Sequence, residues 1–173
     1  MAGFCGAGEE DSRGAASPGR RFADRGTREI KILSIYADSS FFVSLYMDDA
    51  HSIQAQRRMA TRPRVWLLPL HRVEWTHAIA QHVFRGAVSR TEAAQFYSAF
   101  EADRKLGLFL EQEMPESIFE TAVELARKYV PQMGGRTLDS LHIASALELG
   151  ADRFWTFDER QAKLARAVGL KIR

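Results

Sequence analysis

The chain has 173 residues, a formal net charge of +2 and one cysteine. This length predicts one domain with a substantial core. The near-neutral charge argues against a protein that coats nucleic acid non-specifically. A single cysteine, Cys5, excludes an intramolecular disulfide and a cysteine-rich zinc site, which favours a reducing cytoplasm. No apolar run approaches the roughly 20 residues of a transmembrane helix, so no membrane association is predicted.

Residues 1–29 differ in composition from the rest of the chain. They are rich in Gly, Ala, Ser and Arg, and they show neither a helical nor a strand period. They also lack the apolar run of a secretory signal. We predict a disordered extension here and a folded domain over residues 30–173.

From residue 30 onward, strand-like and helix-like patterns alternate. Strands are predicted at Ile30–Ala37, Val65–Leu68, Leu106–Leu110 and Arg153–Thr156, with Leu170–Ile172 as a candidate fifth. Four helices are predicted at Ser39–Met47, Asp49–Arg62 (capped by Asp48 or Asp49), Leu70–Phe84 and Glu159–Val168. Three more are predicted to begin after the capping box Ser89–Glu92, after Pro115, and at a Thr137 cap, the last of these ending at Leu149. Strands separated by helices predict an α/β fold with a parallel sheet and right-handed crossovers.

Apolar spacing predicts which helix faces pack inward. The third helix carries Val73, His77, Ala80 and Phe84 on one face. The helix after the capping box has Ala93, Phe96, Tyr97 and Phe100 at i, i+3, i+4 and i+7, and the next helix turns Ile118, Ala122, Leu125 and Tyr129 inward.

Four isolated acids lie at the edges of hydrophobic elements. Asp38 and Asp158 each follow a predicted strand, Asp139 lies in the first turn of an apolar helix, and Glu74 lies within an apolar stretch. Open α/β folds bind ligands beyond the carboxyl ends of their strands. Four carboxylates together are stable as anions only around a cation, and oxygen ligands suit Mg²⁺ or Mn²⁺ rather than zinc. Such a centre favours phosphodiester hydrolysis.

Each acid also has a purely structural interpretation. Asp38 and Asp158 are good helix caps, Asp139 gains from the helix dipole, and Glu74 fits a solvated helix surface. The spacings Glu74-x-x-His77 and Asp139-x-x-His142 are also found in carboxylate di-iron bundles. The predicted strand at residues 153–156 argues against an all-helical bundle, so both histidines are interpreted as packing or helix-face residues.

The motifs resemble a known family. Tyr36-Ala-Asp38-Ser-Ser, the helix around Glu74, Leu138-Asp139-Ser-Leu-His-Ile-Ala-Ser-Ala and Phe154-Trp-Thr-Phe-Asp158-Glu-Arg occur in the order found in PIN-domain nucleases, in particular VapC-type toxins of toxin–antitoxin pairs. One departure is Trp75, where the family usually has a smaller residue. The resemblance implies a three-layer α/β/α domain around a parallel sheet and Mg²⁺- or Mn²⁺-dependent endoribonuclease activity. It also implies metal-centre roles for Asp38, Glu74, Asp139 and Asp158, a supporting role for Thr156, a homodimer and a VapB-like antitoxin.

Partner contacts can be predicted on the same basis. An antitoxin arginine is expected to pair with Asp38 or Asp158, with a docking groove near Phe41, Phe42 and Tyr46. RNA phosphates are expected at Arg136 and, further away, at the basic run Arg57, Arg58, Arg62 and Arg64, with a folded RNA loop preferred. The alternative is a PIN-like RNA-binding or assembly module without turnover.

Overall fold

The computed structural model describes residues 33–172. The predicted extension over residues 1–29 lies outside this part of the chain. The strands are β1 (Ser34–Ala37), β2 (Arg64–Leu67), β3 (Phe109–Glu111) and β4 (Arg153–Trp155). The helices are α1 (Ser39–Tyr46), α2 (Ser52–Met59), α3 (Pro69–Phe84), α4 (Arg90–Lys105), α5 (Ser117–Met133), α6 (Thr137–Glu148) and α7 (Glu159–Ala167). Among the described residues, no helix is both long and apolar enough to cross a bilayer.

The four strands form one parallel sheet in the order β3-β2-β1-β4. Successive strand residues face opposite sides of the sheet. Ile35, Ala37 and Trp155 therefore pack with α1–α4 on one side, and Tyr36 and Phe154 pack with α5–α7 on the other. The result is the predicted three-layer α/β/α arrangement, which excludes the all-helical di-iron bundle.

Several predicted boundaries move. The predicted strand over residues 106–110 begins later, at Phe109, because Leu106 is the C-cap of α4 and Gly107 adopts φ +71°. The helix expected to start at Asp49 begins at Ser52, with His51 as its N-cap. Asp49 instead accepts hydrogen bonds from the His51 N–H and the Ser52 hydroxyl.

At the C-terminal end, the N-cap of α6 is Arg136 rather than Thr137. The candidate fifth strand is reduced to an isolated bridge between Phe154 and Ile172.

Two predicted surfaces also change. Phe41 and Phe42 are completely buried, so they do not line a docking groove. Their rings pack against Trp155 (centroids 5.1 Å apart) and His71 (5.0 Å), because the short helix α1 is enclosed by the sheet and by α3. The α3 face with Val73 and Phe84 is exposed, because the helix buries the larger rings of His71 and Trp75, together with Ile79, instead. The predicted inward faces of α4 and α5 are confirmed.

Candidate active site

Asp38 lies at the carboxyl end of β1, where it is the N-cap of α1. Its side chain is only 3% exposed. Oδ1 accepts hydrogen bonds from the Ser40 hydroxyl (2.6 Å) and the Phe41 N–H (3.1 Å), and Oδ2 accepts one from the Thr156 hydroxyl (2.6 Å). Burial raises the pKa of Asp38 despite these donors and the nearby His142. Hydrogen bonds therefore stabilise the buried anion only in part.

Glu74 reaches the same region from α3. Its Oε2 accepts a hydrogen bond from the hydroxyl of Ser39 (2.7 Å), the residue after Asp38. The same oxygen lies 2.5 Å from Nε2 of His142 on α6. Burial alone would raise the pKa of Glu74, but the His142 ring, by its hydrogen bond and its charge when protonated, and the Ser39 hydroxyl lower it. Glu74 is therefore an ionised carboxylate with Oε2 engaged.

The ring of His142 is fixed from both sides. Its Nδ1 lies 2.9 Å from the Tyr36 hydroxyl. An ionised carboxylate only accepts hydrogen bonds, so Nε2 must carry a proton toward Glu74. In the neutral ring the Tyr36 hydroxyl then donates to Nδ1. A chain of hydrogen bonds thus runs from the buried Tyr36 to the carboxylate of Glu74.

A second histidine supports this cluster. The His71 ring lies 4.8 Å from the Tyr36 ring and 5.2 Å from the His142 ring, between centroids. Its Nδ1 accepts a hydrogen bond from the Leu68 N–H at the start of α3 (2.9 Å). Burial lowers the pKa of His71 well below its usual range, so the ring is neutral. The His71 ring thereby fixes the start of α3, the helix that carries Glu74.

Asp139 lies one turn before His142 on α6, so both side chains project from the same face of the helix. Its Oδ2 accepts a hydrogen bond from the Arg136 N–H (2.9 Å), which satisfies a backbone donor at the helix start. Asp139 is half-buried. The helix therefore brings this carboxylate close to the Glu74–His142 pair while using it as a cap.

Thr156 links the remaining acid to Asp38. Its hydroxyl donates to Asp38 Oδ2 and accepts a hydrogen bond from the Asp158 N–H (2.9 Å). Asp158 is the N-cap of α7, and its Oδ1 accepts from the N–H groups of Arg160 (2.8 Å) and Gln161 (3.3 Å). Burial opposes ionisation of Asp158, but these N–H groups and the Arg160 charge lower its pKa.

The comparisons with known proteins identify the family to which the fold belongs. The PIN domain family model matches residues 35–167. The chain belongs to the PIN-domain family. Ribonuclease VapC46 of Mycobacterium tuberculosis is 29% identical over 143 residues, which is 80% of this chain and 95% of that protein.

Two solved structures share the fold of this PIN domain. One is VapC20 of Mycobacterium tuberculosis, described as a Sarcin-Ricin loop cleaving toxin, with a TM-score of 0.58 and 19% identity over 79% of this chain and 95% of that one. The other is FitAcB from Neisseria gonorrhoeae, with a TM-score of 0.60 and 14% identity over 80% and 95%. At these identities the likeness concerns the fold.

Asp38, Glu74 and Asp158 are linked through Ser39 and Thr156 at the carboxyl end of β1, but most of the four acids are engaged in local contacts. Within residues 33–172, no three Asp, Glu, His or Cys side chains are grouped so closely that they could hold one ion. Asp139 and Asp158 each bind N–H groups at the start of their own helix. The cap interpretations of Asp38 and Asp158 therefore describe their local contacts correctly.

The donor set nevertheless fits a hard divalent cation. Its ligands are carboxylate oxygens, which Mg²⁺ and Mn²⁺ prefer. Asp38 is buried, and no Lys or Arg among the described residues forms an ion pair with it. Oε1 of Glu74 accepts no hydrogen bond within residues 33–172. A cation would supply the opposite charge that these groups lack.

The contacts of His142 with Tyr36, Ser39 and Glu74 were not predicted from the sequence. The acid-x-x-His spacing relates residues of a single helix only. His142 pairs with Glu74, which lies 68 residues earlier on a different helix. The available signal in the sequence is that His142 lies among apolar residues of α6, because a buried polar ring needs a hydrogen-bond partner.

The predicted basic run is not uniform either. Arg57, Arg62 and Arg64 are exposed, but Arg58 is half-buried and its guanidinium lies 5.3 Å from the centroid of the Trp155 ring. Arg136 is exposed at the start of α6.

Proposed function

We propose that this PIN-domain protein is a Mg²⁺- or Mn²⁺-dependent endoribonuclease and the toxin of a VapBC-type pair, acting in the cytoplasm as a homodimer. The observation that carries the proposal is the buried Asp38 carboxylate at the end of β1, joined through Ser39 to Glu74 and through Thr156 to Asp158. Burying a carboxylate without a neighbouring Lys or Arg is costly, and this cost supports our proposal of a cation ligand.

Asp38, Glu74, Asp139 and Asp158 would hold the ion, which when bound lowers the pKa of a water molecule and neutralises charge on the phosphate. The hydroxyls of Ser39, Ser40 and Thr156 orient the carboxylates by donating hydrogen bonds to them. His142 holds Oε2 of Glu74 and leaves Oε1 available. Arg136 offers an exposed guanidinium for a neighbouring phosphate.

The relative Ribonuclease VapC46 supports RNA as the substrate. By the same likeness we propose a VapB-like antitoxin, with an arginine that pairs with the partly exposed Asp158 or reaches Asp38. A folded RNA loop remains our proposed substrate, since the near-neutral net charge of +2 favours recognition by shape over recognition by charge.

The test is RNA cleavage by the purified full chain with Mg²⁺ or Mn²⁺, and in EDTA. Asp38→Asn and Asp139→Asn should each lower the cleavage rate by about 100-fold or more, and EDTA should abolish it. Glu124→Gln, an exposed acid on α5, is the matched control and should cleave normally. Binding of RNA without cleavage by wild type would favour the non-catalytic module, and undiminished cleavage in EDTA would refute the metal mechanism.

The Asp38→Asn variant also provides a folding control. The folded protein raises the pKa of Asp38, so it favours the protonated acid. This contribution to stability is present at low pH and is lost as the pH rises through the raised pKa. Metal-free Asp38→Asn should therefore have a higher Tm than metal-free wild type at pH 7, and the difference should shrink on acidification.

A further inference from the structure

A cleft of about 360 Å³ opens beside the acidic centre, between α1 and the turn that follows β4. Its walls include Ser40, Val43, Asp49, His51, Phe157 and Asp158. The cleft thus shares Asp158 with the proposed metal centre, and it contains two aromatic rings that the proposed hydrolysis does not use.

These two rings form a parallel stack at the protein surface. The rings of His51 and Phe157 lie 4.3 Å apart between centroids, with an interplanar angle of 7°. His51 is exposed, and no hydrogen bond within residues 33–172 engages its ring nitrogens. Phe157 is anchored on the protein side by the Phe41 ring (6.1 Å, 22°) and by the Arg58 guanidinium, 5.4 Å from its centroid. The platform therefore has a fixed inner ring and an accessible outer ring.

The side chain of Ser40 links the two stacked rings to Asp38. The Ser40 hydroxyl donates to Asp38 Oδ1 (2.6 Å) and accepts a hydrogen bond from the Phe157 N–H (3.3 Å). The position of the stacked rings is thereby set relative to the buried carboxylate. A chain molecule whose backbone passes Asp38 would place its next planar group within reach of the stack.

The negative charge of the cleft determines which kind of planar group can bind there. Burial opposes ionisation of Asp49, but hydrogen bonds from Ser44, the His51 N–H and Ser52 lower its pKa. The Asp49 carboxylate on this wall repels a phosphate and accepts hydrogen bonds only. It suits an uncharged ring with N–H donors, such as adenine, guanine or cytosine.

We propose that His51 and Phe157 form a stacking subsite for an unpaired base of the RNA substrate, next to the phosphodiester that is cleaved at Asp38. This inference rests on the proposed endoribonuclease function. Aromatic side chains recognise single-stranded RNA by stacking on exposed bases, and every base offers a suitable face. The cleft then contributes binding by base stacking, which contacts between basic residues and phosphates do not supply.

The experiment measures binding of a single-stranded oligoadenylate of about ten nucleotides by fluorescence anisotropy, in Mg²⁺. The background is full-length Asp139→Asn, which binds without cleaving. His51→Ala should weaken binding by about 5- to 100-fold, as expected for the loss of one base–aromatic stack. His51→Phe keeps a stackable ring and should bind within about 3-fold of the background, on the same stacking scale.

Two further comparisons separate stacking from other effects. His77→Ala removes an exposed histidine of α3 outside the cleft and should leave affinity unchanged. The slope of log affinity against log salt should not change in His51→Ala, because a base contact neutralises no phosphate. With an abasic ribose-phosphate oligomer of equal length, His51→Ala and its background should bind equally.

The outcomes distinguish this inference from the proposed function. If wild type cleaves RNA but His51→Ala binds the oligoadenylate normally, or if His51→Phe is as weak as His51→Ala, the stacking subsite is refuted while the nuclease stands. If His51→Ala weakens binding of a VapB-like antitoxin and not of RNA, the cleft serves a protein partner and the inference is overturned. If wild type neither cleaves nor binds RNA, both proposals are overturned.

Discussion

Glu74 owes its position to a residue from the opposite layer of the domain. It lies on α3, which packs on one side of the sheet, and His142 comes from α6, which packs on the other. The two meet beyond the end of β1, where the buried Tyr36 hydroxyl fixes the histidine ring. A carboxylate held in this way loses less freedom when it binds a cation, because its orientation is already set.

We therefore expect His142→Ala to weaken Mn²⁺ binding by about 10- to 100-fold, the usual cost of removing a partner that orients a metal-binding group. Tyr36→Phe should change the affinity in the same direction by less, because only the hydroxyl is lost. Titration calorimetry on metal-stripped protein measures both. His77→Ala, on the exposed side of α3, is the control. Unchanged Mn²⁺ affinity in a folded His142→Ala protein would contradict this role.

At the scale of elements, the start of α7 combines a structural and a proposed chemical role in one side chain. Asp158 caps the helix with one oxygen, while its other oxygen lies 3.5 Å from a guanidinium nitrogen of Arg160. Asparagine caps helices about as well as aspartate but carries no charge. Substitution can therefore separate the two roles.

Asp158→Asn should keep the thermal stability of the metal-free protein near that of wild type and lose most RNA cleavage. Asp158→Ala should lose cleavage too, and it should also cost about 1 kcal/mol of stability because the cap is gone. That cost lowers the Tm by about 2–4 °C for a domain of this size. Thermal melts and cleavage assays of both variants provide the measurement. Full activity of Asp158→Asn would show that the residue is only a cap.

Elements with strong local signals were predictable from the sequence. The run Ile32–Tyr36 and the capping box Ser89–Glu92 are such signals, and β1 and α4 lie where expected. Predicted element boundaries that depend on backbone geometry differ from those in the structure, as at Gly107 before β3. The predicted inward face of α3 is wrong, because both sides of this helix carry apolar residues and only packing decides between Val73 and Trp75.

The candidate site was predictable only as a set of residues. The strand-then-acid pattern located Asp38 and Asp158, because that pattern follows from parallel topology. Contacts such as that between Glu74 and His142 join residues far apart in sequence, and a single sequence gives no signal for such a pair.

At the scale of the whole molecule, two clefts are bordered by exposed apolar side chains. Val73 on α3 is 68% exposed, and a cleft of about 670 Å³ runs between α3 and α4 beside it. Phe119 on α5 is 48% exposed and lines a smaller cleft of about 300 Å³ against α6. Such surfaces usually mark protein contacts.

We expect the proposed homodimer to form through the larger α3–α4 face. Val73→Asp should convert the protein to a monomer, because dimerisation would bury an unpaired charge. Phe119→Asp should leave the dimer intact. Size-exclusion chromatography with light scattering on each variant tests this. A monomeric wild type would refute the dimer, and a monomeric Phe119→Asp with a dimeric Val73→Asp would assign the interface to α5.

The hydrogen bond from Thr156 to Asp38 spans 118 residues and joins the first described strand to the turn after the last. During translation, Asp38 is synthesised early and Thr156 late. Until β4 has been synthesised, β1 lacks one of its two neighbouring strands and Asp38 lacks one of its three hydrogen-bond donors. A nascent or prematurely terminated chain would therefore lack the complete site on which the proposed cleavage depends. The order of synthesis delays the proposed activity until the chain is nearly complete, which leaves time for an inhibitor to be present.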